Sequence, residues 1–354
     1  MVDILNITGK PIFDDRIVKI ETHTYNPYAN TTFGHSDEIR IPIQQQDLYT
    51  LPCDSFLYVE GKLMVKKKND QMSSTLGNCR YNGASISLLY FVTWTNNCMA
   101  FMFDEIRNEL NGVEIDSNRN VGITSTIKNY VSMTYDKALI ALNAGWNSRS
   151  DMEEGYFNFC VPLNMLLGFC EDYKRVVVNA RLELILIRAR NDYNCLVGNP
   201  ATEPEVELFK MQWRMPHVSL NDINKFSMLR ALESGRYLSM SFRSWDLYEY
   251  PLLQNTNKHS WAVKTATQLE KPRYVIIALQ IGRKNVMSQD ISKGPFAVID
   301  CSRQNESVKS ATVDVRIEFD CKENVPAYTT AYCLIIHDRV IKYCPLSNVV
   351  RKIM

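Results

Sequence analysis

The sequence has no long hydrophobic run. Within its 354 residues, apolar side chains never continue over the roughly 18 positions that a membrane-spanning helix needs. The first ten residues, MVDILNITGK, also lack the basic start and apolar core of a secretory signal. The sequence therefore predicts a non-secreted chain, cytoplasmic or nuclear, with no transmembrane helix and no membrane as a partner.

The sequence also has no excess of charge of either sign. Its 40 lysines and arginines nearly cancel its 39 aspartates and glutamates, which leaves a formal net charge of +1. Proteins that bind nucleic acid or anionic membranes through their overall charge carry a basic excess. The triple lysine at Lys66–Lys68 is followed by Asn69 and Asp70, and we interpret it as a solvated hairpin tip rather than a nucleic-acid site.

The motifs of common enzyme and metal sites are missing. The five histidines form no His-x-His pair, and the ten cysteines form no Cys-x-x-Cys pair. The sequence contains no Gly-x-Ser-x-Gly and no glycine-rich phosphate loop. We therefore predict no catalytic residue, no cofactor-binding residue, no metal ligand, no cofactor and no small-molecule substrate. In a chain without a secretory signal, the ten cysteines are predicted to be reduced thiols.

What the sequence does contain is the alternation of apolar and polar residues that is typical of β-strands. The clearest example is Tyr237–Gly282, which predicts three strands of a packed antiparallel sheet. Its first strand changes apolar phase after Phe242, which predicts a β-bulge near Arg243 and Ser244. Four tryptophans in strand-like runs are expected to be buried anchors between two sheets: Trp94, Trp213, Trp245 and Trp261.

The rest of the chain continues this pattern, with helical interruptions. Asn111-Gly112 is a strong signal for a two-residue hairpin turn. Helices are predicted within Gly122–Asn143 and Pro162–Phe169, and an amphipathic helix over Leu220–Glu233 with Asn221 as its cap. A linker rich in Gly, Asn and Pro is predicted at Asn191–Pro204. The other predicted strands are Ile39–Ile43, Leu57–Val65, Ser85–Trp94, Met99–Leu110, Val113–Asp116, Phe157–Val161, Val176–Arg190, Val313–Asp320 and Tyr332–Tyr343.

Several of these runs resemble the double jelly-roll-like domain family. The stretches that carry the resemblance are FRSWDLYEYPLL (242–253), the run from Lys258 to Asn285, GFCEDYKRVVVNARLELILIRAR (168–190), MQWRMPH (211–217) and TTAYCLIIHDRVIKYCPLSNVVRK (329–352). The family is encoded in many copies in arthropod genomes. It is related in fold to the major capsid proteins of Maverick/Polinton-type transposons and double jelly-roll viruses.

The resemblance and the strand pattern together predict an all-β fold of two tandem jelly-roll β-sandwiches with short helical insertions. We expect an N-terminal arm over residues 1–35, a first jelly roll over 36–195 and a second over 205–354. Family members carry a further strand-bearing segment where this chain has only Ile291–Pro295. The second jelly roll is therefore expected to be incomplete, shortened near residues 286–296.

For function, the resemblance implies a non-enzymatic, capsid-like structural protein of viral or transposon origin, domesticated or decayed. Its partner is expected to be itself, as a homotrimer, with nucleic acid only as an enclosed genome and the virion as its location. The alternative is a monomeric binding module or a carbohydrate-active enzyme. His217 and His259 as a metal pair, and Asp246, Glu249, Glu153 and Glu154 as catalytic carboxylates, are the residues on which an active site would depend.

Overall fold

The structure, a computed structural model, describes residues 16–28, 32–44, 49–66, 72–73, 92–146, 155–198, 203–263, 272–282, 295–303 and 315–353. These residues are mainly β-strand. The strands are β1 (Ile17–Tyr25), β2 (Glu38–Ile43), β3 (Tyr49–Thr50), β4 (Phe56–Lys66), β5 (Met72–Ser73), β6 (Thr93–Trp94), β7 (Phe103–Leu110), β8 (Val113–Arg119), β9 (Tyr156–Pro162), β10 (Leu182–Arg188), β11 (Leu196–Val197), β12 (Glu205–Leu220), β13 (Leu238–Tyr250), β14 (Lys258–Val263), β15 (Pro272–Ile281), β16 (Phe296–Asp300), β17 (Val315–Asp320), β18 (Thr329–Cys344) and β19 (Val349–Ile353).

Helices are short and lie mostly in the first half. The α-helices are α1 (Cys98–Phe101), α2 (Val121–Ser132), α3 (Tyr135–Ile140), α4 (Gly168–Asp172) and α5 (Asp222–Glu233). Three 3-10 helices cover Pro52–Asp54, Ala141–Ala144 and Leu163–Met165. No helix among the described residues is both long enough and apolar enough to cross a membrane.

The first sandwich consists of eight main strands in two antiparallel sheets. One sheet has the order β1-β12-β4-β9, and the other has the order β2-β10-β7-β8. These eight strands are β1, β2, β4, β7, β8, β9, β10 and β12. If they are numbered one to eight in that chain order, the first sheet has the order 1-8-3-6 and the second has the order 2-7-4-5. Neighbours distant in sequence therefore pair, which is the arrangement of a jelly roll. The short strands β3 and β5 extend the first sheet, and β6 pairs with β11.

The strand pairing crosses three of the expected domain boundaries. Ile17–Tyr25, expected in an arm over residues 1–35, pairs with β12 along its length. Glu205–Leu220, expected to open the second jelly roll, pairs with β4. The sheet that contains β4, inside the range 36–195 expected for the first jelly roll, therefore also contains β1 and β12, which lie outside that range. Loops rich in Gly and Asn join strands within a sandwich as well as between domains, so the composition of Asn191–Pro204 alone does not locate a domain boundary.

Among the described residues, the second sandwich repeats this order with two strands fewer. Its larger sheet has the order β13-β18-β15-β16, with β19 also on β18, and its smaller sheet is β14-β17. By position these strands correspond to 1-8-3-6 and 2-7 of the first sandwich. Strands four and five would lie between β15 and β16, where the chain has only residues 282–295, of which 283–294 are outside the described part. The described strands thus fit the incomplete second jelly roll expected from the sequence.

Most of the predicted elements are confirmed, and four predictions differ. The three strands of Tyr237–Gly282 lie in two sheets, because β13 and β15 pair with β18 whereas β14 pairs with β17. Asn111 and Gly112 have positive φ values of 51° and 78°, as the hairpin turn requires. Met99–Leu110 is a strand only from Phe103, because Cys98–Phe101 is helical, and the strand expected over Val176–Arg190 begins at Leu182. No bulge is present in β13, which pairs with β18 without a register shift. Ser85–Phe91 lies outside the described residues.

Three apolar clusters form the core among the described residues, of which the smallest contains Tyr49, Val178 and Val218 and contacts α5. Of the other two, the larger one fills the first sandwich and continues to the second, where it includes Phe242, Tyr332 and Leu334. The smaller of these two lies between the two sheets of the second sandwich and contains Trp261, Ile317 and Cys333 among its members. The four predicted tryptophan anchors are all buried. Because the larger cluster crosses between the sandwiches, their packing is part of the hydrophobic core.

The cysteines allow a first test of the chain's chemistry. Nine cysteines lie in the described part of the chain, and each is free of a disulfide bond. Burial raises the pKa of Cys170 and Cys195 well above the ordinary thiol value, which disfavours the reactive thiolate.

We expect close to ten titratable thiols in the purified protein, because the sequence contains ten cysteines and no pair among the nine described is bonded. The measurement is a thiol-reagent titration in denaturant, with and without prior reduction. A difference of two or more thiols between the two samples would contradict this prediction.

Candidate functional site

Several buried and paired polar side chains lie at the junction between the two sandwiches. There, β13 of the second sandwich crosses α4 and β8 of the first. The closest approach is at Gly168, the first residue of α4. A Cβ atom added to Gly168 would lie 1.7 Å from the carbonyl oxygen of Arg243. Only glycine therefore fits at this position, and the backbones of the two sandwiches are in direct contact.

Asp172, at the end of α4, binds β13 beside this contact. One carboxylate oxygen accepts hydrogen bonds from the backbone N–H of Arg243 at 2.9 Å and from its Nε at 2.7 Å, and the other accepts from Nη2 at 2.5 Å. Burial on its own would raise the pKa of Asp172, but hydrogen bonds and the charge of Arg243 outweigh it, so the pKa is lowered. The same hydrogen bonds raise the pKa of Arg243. Both groups are ionised and form a bidentate pair.

Asp116, on β8, binds the next residue of β13. Its carboxyl group is buried and accepts hydrogen bonds from the backbone N–H of Phe169 and the hydroxyl of Ser244, both at 2.8 Å. Burial raises the pKa of Asp116 to about 6, although these hydrogen bonds and the charge of Arg339 oppose the shift. The fold therefore holds a carboxyl group that titrates well above its ordinary range.

A third contact comes from α2. The Nζ of Lys128 forms an ion pair with Glu171 and lies 4.6 Å from the centre of the Trp245 ring. Burial lowers the pKa of Lys128, and the charge of Glu171 acts against that shift. Beside these polar contacts, Phe169 packs edge-on against Phe242 with 5.2 Å between ring centres. The junction is thus a mixture of apolar packing and buried, paired charges.

A second polar cluster lies where β1 pairs with β12. His217 is buried, its Nε2 is 2.8 Å from the Tyr25 hydroxyl, and its ring centre is 4.4 Å from that of His23. Its Nδ1 has no hydrogen-bond partner among the described residues. Burial, with a smaller effect of His23, lowers the pKa of His217 to about 4. An open cavity of about 430 Å³ is lined by residues 21–25 of β1 beside this cluster.

The residues weighed as enzymatic candidates do not converge. His217 lies in the first sandwich with His23, whereas His259 stacks on Phe319 of the second sandwich. Asp246 lies 3.5 Å from His337, and Glu249 is farther along the same strand. Glu153 and Glu154 lie outside the described residues, as do Lys67 and Lys68. Within the described part of the chain, no group of three or more His, Cys, Asp or Glu side chains is placed to bind a metal ion.

The sequence patterns do not indicate the junction residues, except for the apolar phase change after Phe242. Asp116, Gly168 and Asp172 have no distinctive sequence spacing, because their partners on β13 are far away in the chain. The apolar phase change after Phe242 marks the junction and not the predicted β-bulge. It arises because both faces of β13 contact the first sandwich near Ser244. Phe242 and Trp245 point to opposite faces of the strand, and both belong to the larger apolar cluster.

The close approach at Gly168 predicts a large effect of a single methyl group. We expect Gly168→Ala to lower the free energy of unfolding by about 3 kcal/mol, because the clash is with a backbone carbonyl that cannot rotate away. Urea unfolding measures this change. Gly34→Ala is the control, since its Cβ would meet only side-chain atoms, the Asp37 carboxylate at 3.3 Å and the Thr32 hydroxyl at 3.6 Å. Equal effects of the two substitutions would contradict the prediction.

The raised pKa of Asp116 predicts a pH dependence of stability. In the unfolded chain its pKa is about 3.8 and in the folded protein about 6, so the folded state holds the proton more tightly. The resulting stabilisation is complete below pH 4 and is lost as the pH rises through 6. Relative to the parent, Asp116→Asn should gain up to about 3 kcal/mol of unfolding free energy between pH 4 and pH 7.

Urea unfolding at a series of pH values measures this difference. Asp338→Asn, which removes an exposed carboxylate paired with Arg273, is the control for the loss of one negative charge. A constant difference between Asp116→Asn and the parent across this pH range would show that Asp116 titrates normally.

Comparison with known proteins gives the same fold. The chain matches chains in the cryo-EM structure of the Sputnik virophage (TM-score 0.61, 8% identity, 99% of this chain and 91% of that one) and in the crystal structure of the mavirus major capsid protein (0.56, 9%, 99% and 93%). It also matches the Faustovirus major capsid protein (0.52, 7%, 96% and 92%). At these identities the likeness establishes the fold alone.

The sequence comparison is more specific. No curated protein matches the chain. The family model described as "Double jelly roll-like domain" matches residues 92–293 and 291–341, which is most of the chain. The chain therefore belongs to the double jelly roll-like domain family.

Proposed function

We propose that this chain is a capsid-like structural protein that self-assembles, with a homotrimer as its first assembly. The observation that supports this most directly is the pair of jelly-roll sandwiches packed through one shared core, in an arrangement matched over nearly the whole chain by viral major capsid proteins. In this proposal the chain has no catalytic centre and no cofactor, and its partner is another copy of itself.

We further propose how the chain is divided. The first jelly roll runs from Ile17 to Leu220, because its first and last strands pair with each other. The second runs from Leu238 to Ile353, with α5 as the connection. This assignment follows the strand pairing rather than the loop composition.

An origin in a virus or a Maverick/Polinton-type transposon, and a relation to copies in arthropod genomes, rest on the resemblance of the runs around Trp245 and Trp261. The reduced second sandwich supports a domesticated or decayed descendant. In an assembled particle the location would be the virion, and in a domesticated protein the cytoplasm or nucleus. Nucleic acid would then be an enclosed genome and not a ligand of a binding site.

The test is the mass of the purified chain in solution. We expect a species of three times the 40.8 kDa chain mass, which dissociates on dilution because the second sandwich is reduced. Sedimentation velocity over a hundredfold concentration range measures the equilibrium, and electron microscopy of the concentrated sample shows any shells. A monomer at every concentration would contradict self-assembly and favour the alternative of a monomeric binding module or carbohydrate-active enzyme.

A further inference from the structure

Six large apolar residues in the connection between β8 and β9 are exposed. These six, which we call the α2–α3 surface, each expose between 40% and 78% of their area: Tyr130, Val131, Tyr135, Leu139, Ile140 and Leu142. They follow one another at the end of α2, along α3 and in the 3-10 helix after it. Large apolar side chains are rarely exposed in such a group on a monomeric protein.

The helix α3 adds little to the fold of its own chain. None of its six residues is buried, and only Ala138 packs against the larger apolar cluster. A helix of this length has little stability by itself in water. Contact of Tyr135, Leu139 and Ile140 with another molecule would therefore stabilise the helix as well as remove apolar area from water.

The surface continues from the first sandwich to the second. Tyr130 stacks on Phe296 of β16, with 5.3 Å between ring centres. Val298 lies on the same face of β16 as Phe296 and is also exposed. A molecule bound at this surface would thus contact both sandwiches at once.

The area fits a folded protein partner. The six residues, polar atoms included, together expose on the order of 700 Å², which is comparable with the roughly 300–600 Å² of the largest patch on a typical monomer. It is close to the roughly 800 Å² that each partner buries in a standard protein interface. A short peptide would cover only part of this area.

The composition separates a protein partner from a lipid surface. Residues 130–142 contain one acidic and one basic residue, Asp136 and Lys137, among two tyrosines, a methionine and aliphatic residues. Interface cores are poor in charge and rich in tyrosine and methionine. Helices that lie on membranes instead carry many lysines and arginines on their polar side.

We propose that the α2–α3 surface is the contact of this chain with a second copy of itself. This inference rests on the proposed self-assembly and names the surface that carries it. The exposed area and the low charge of the surface both fit a second copy of the chain. A second copy is also always present wherever the chain itself is present. Burial of this surface holds α3 in place and joins both sandwiches of one chain to the neighbour.

The test is a charge-introducing variant of the α2–α3 surface. We expect Tyr135→Glu combined with Ile140→Glu to weaken self-association about 100-fold, because two large contacts are lost and two charges are placed at the interface. Both side chains are exposed, so circular dichroism and urea unfolding should match the parent. The control is Ile223→Glu combined with Phe226→Glu on α5, which are equally exposed and should leave association unchanged.

A second measurement identifies the partner directly. A photoreactive benzoylphenylalanine at position 135 should cross-link isotope-labelled and unlabelled copies of the chain to each other, giving a species of twice the 40.8 kDa mass. If the double variant associates like the parent, or if a parent that associates gives no copy-to-copy cross-link, this surface is not the contact, while the proposed function stands. A parent that stays monomeric overturns both.

Discussion

The structure depends on the contact between α4 and the backbone of β13. Gly168 and Arg243 approach so closely that a methyl group does not fit between them, and the hydrogen bonds of Asp172 and Asp116 fix the strand on either side of that point. The surrounding apolar cluster gives most of the burial energy but tolerates small shifts. The backbone contact between Gly168 and Arg243 does not tolerate such shifts, so it sets the relative position of the two sandwiches.

The buried ionisable groups respond to pH in opposite directions. Asp116 binds its proton more tightly in the folded protein, whereas His217 binds its proton less tightly, and both differences act between about pH 4 and pH 6.5. Acidification therefore stabilises the junction through Asp116 and destabilises the β1–β12 pairing through His217. The net pH dependence of the whole protein can be small while each region changes.

The sequence predicted the strands and turns well because these follow local patterns. Alternation located β2, β14 and β17, and Asn221 accepts the hydrogen bond of a helix cap as its position indicated. The pairing of Ile17–Tyr25 with Glu205–Leu220 has no local signal in the sequence, because the two segments are far apart in the chain. The amphipathic pattern of α5 was also misleading, since Ile223 and Phe226 are exposed.

The position of the junction also explains how the second sandwich can have fewer described strands and still pack against the first. Strands four and five, which are absent from its described part, would extend the sheet of β14 and β17. That sheet packs only on the smaller apolar cluster. The junction is formed by the opposite sheet, through β13, β15 and β18, and by segments of the first sandwich between its fourth and seventh strands. The lost strands therefore lie on the far side of the second sandwich. Their absence leaves the contact with the first sandwich intact and exposes an edge at β17, where the described residues place no further strand.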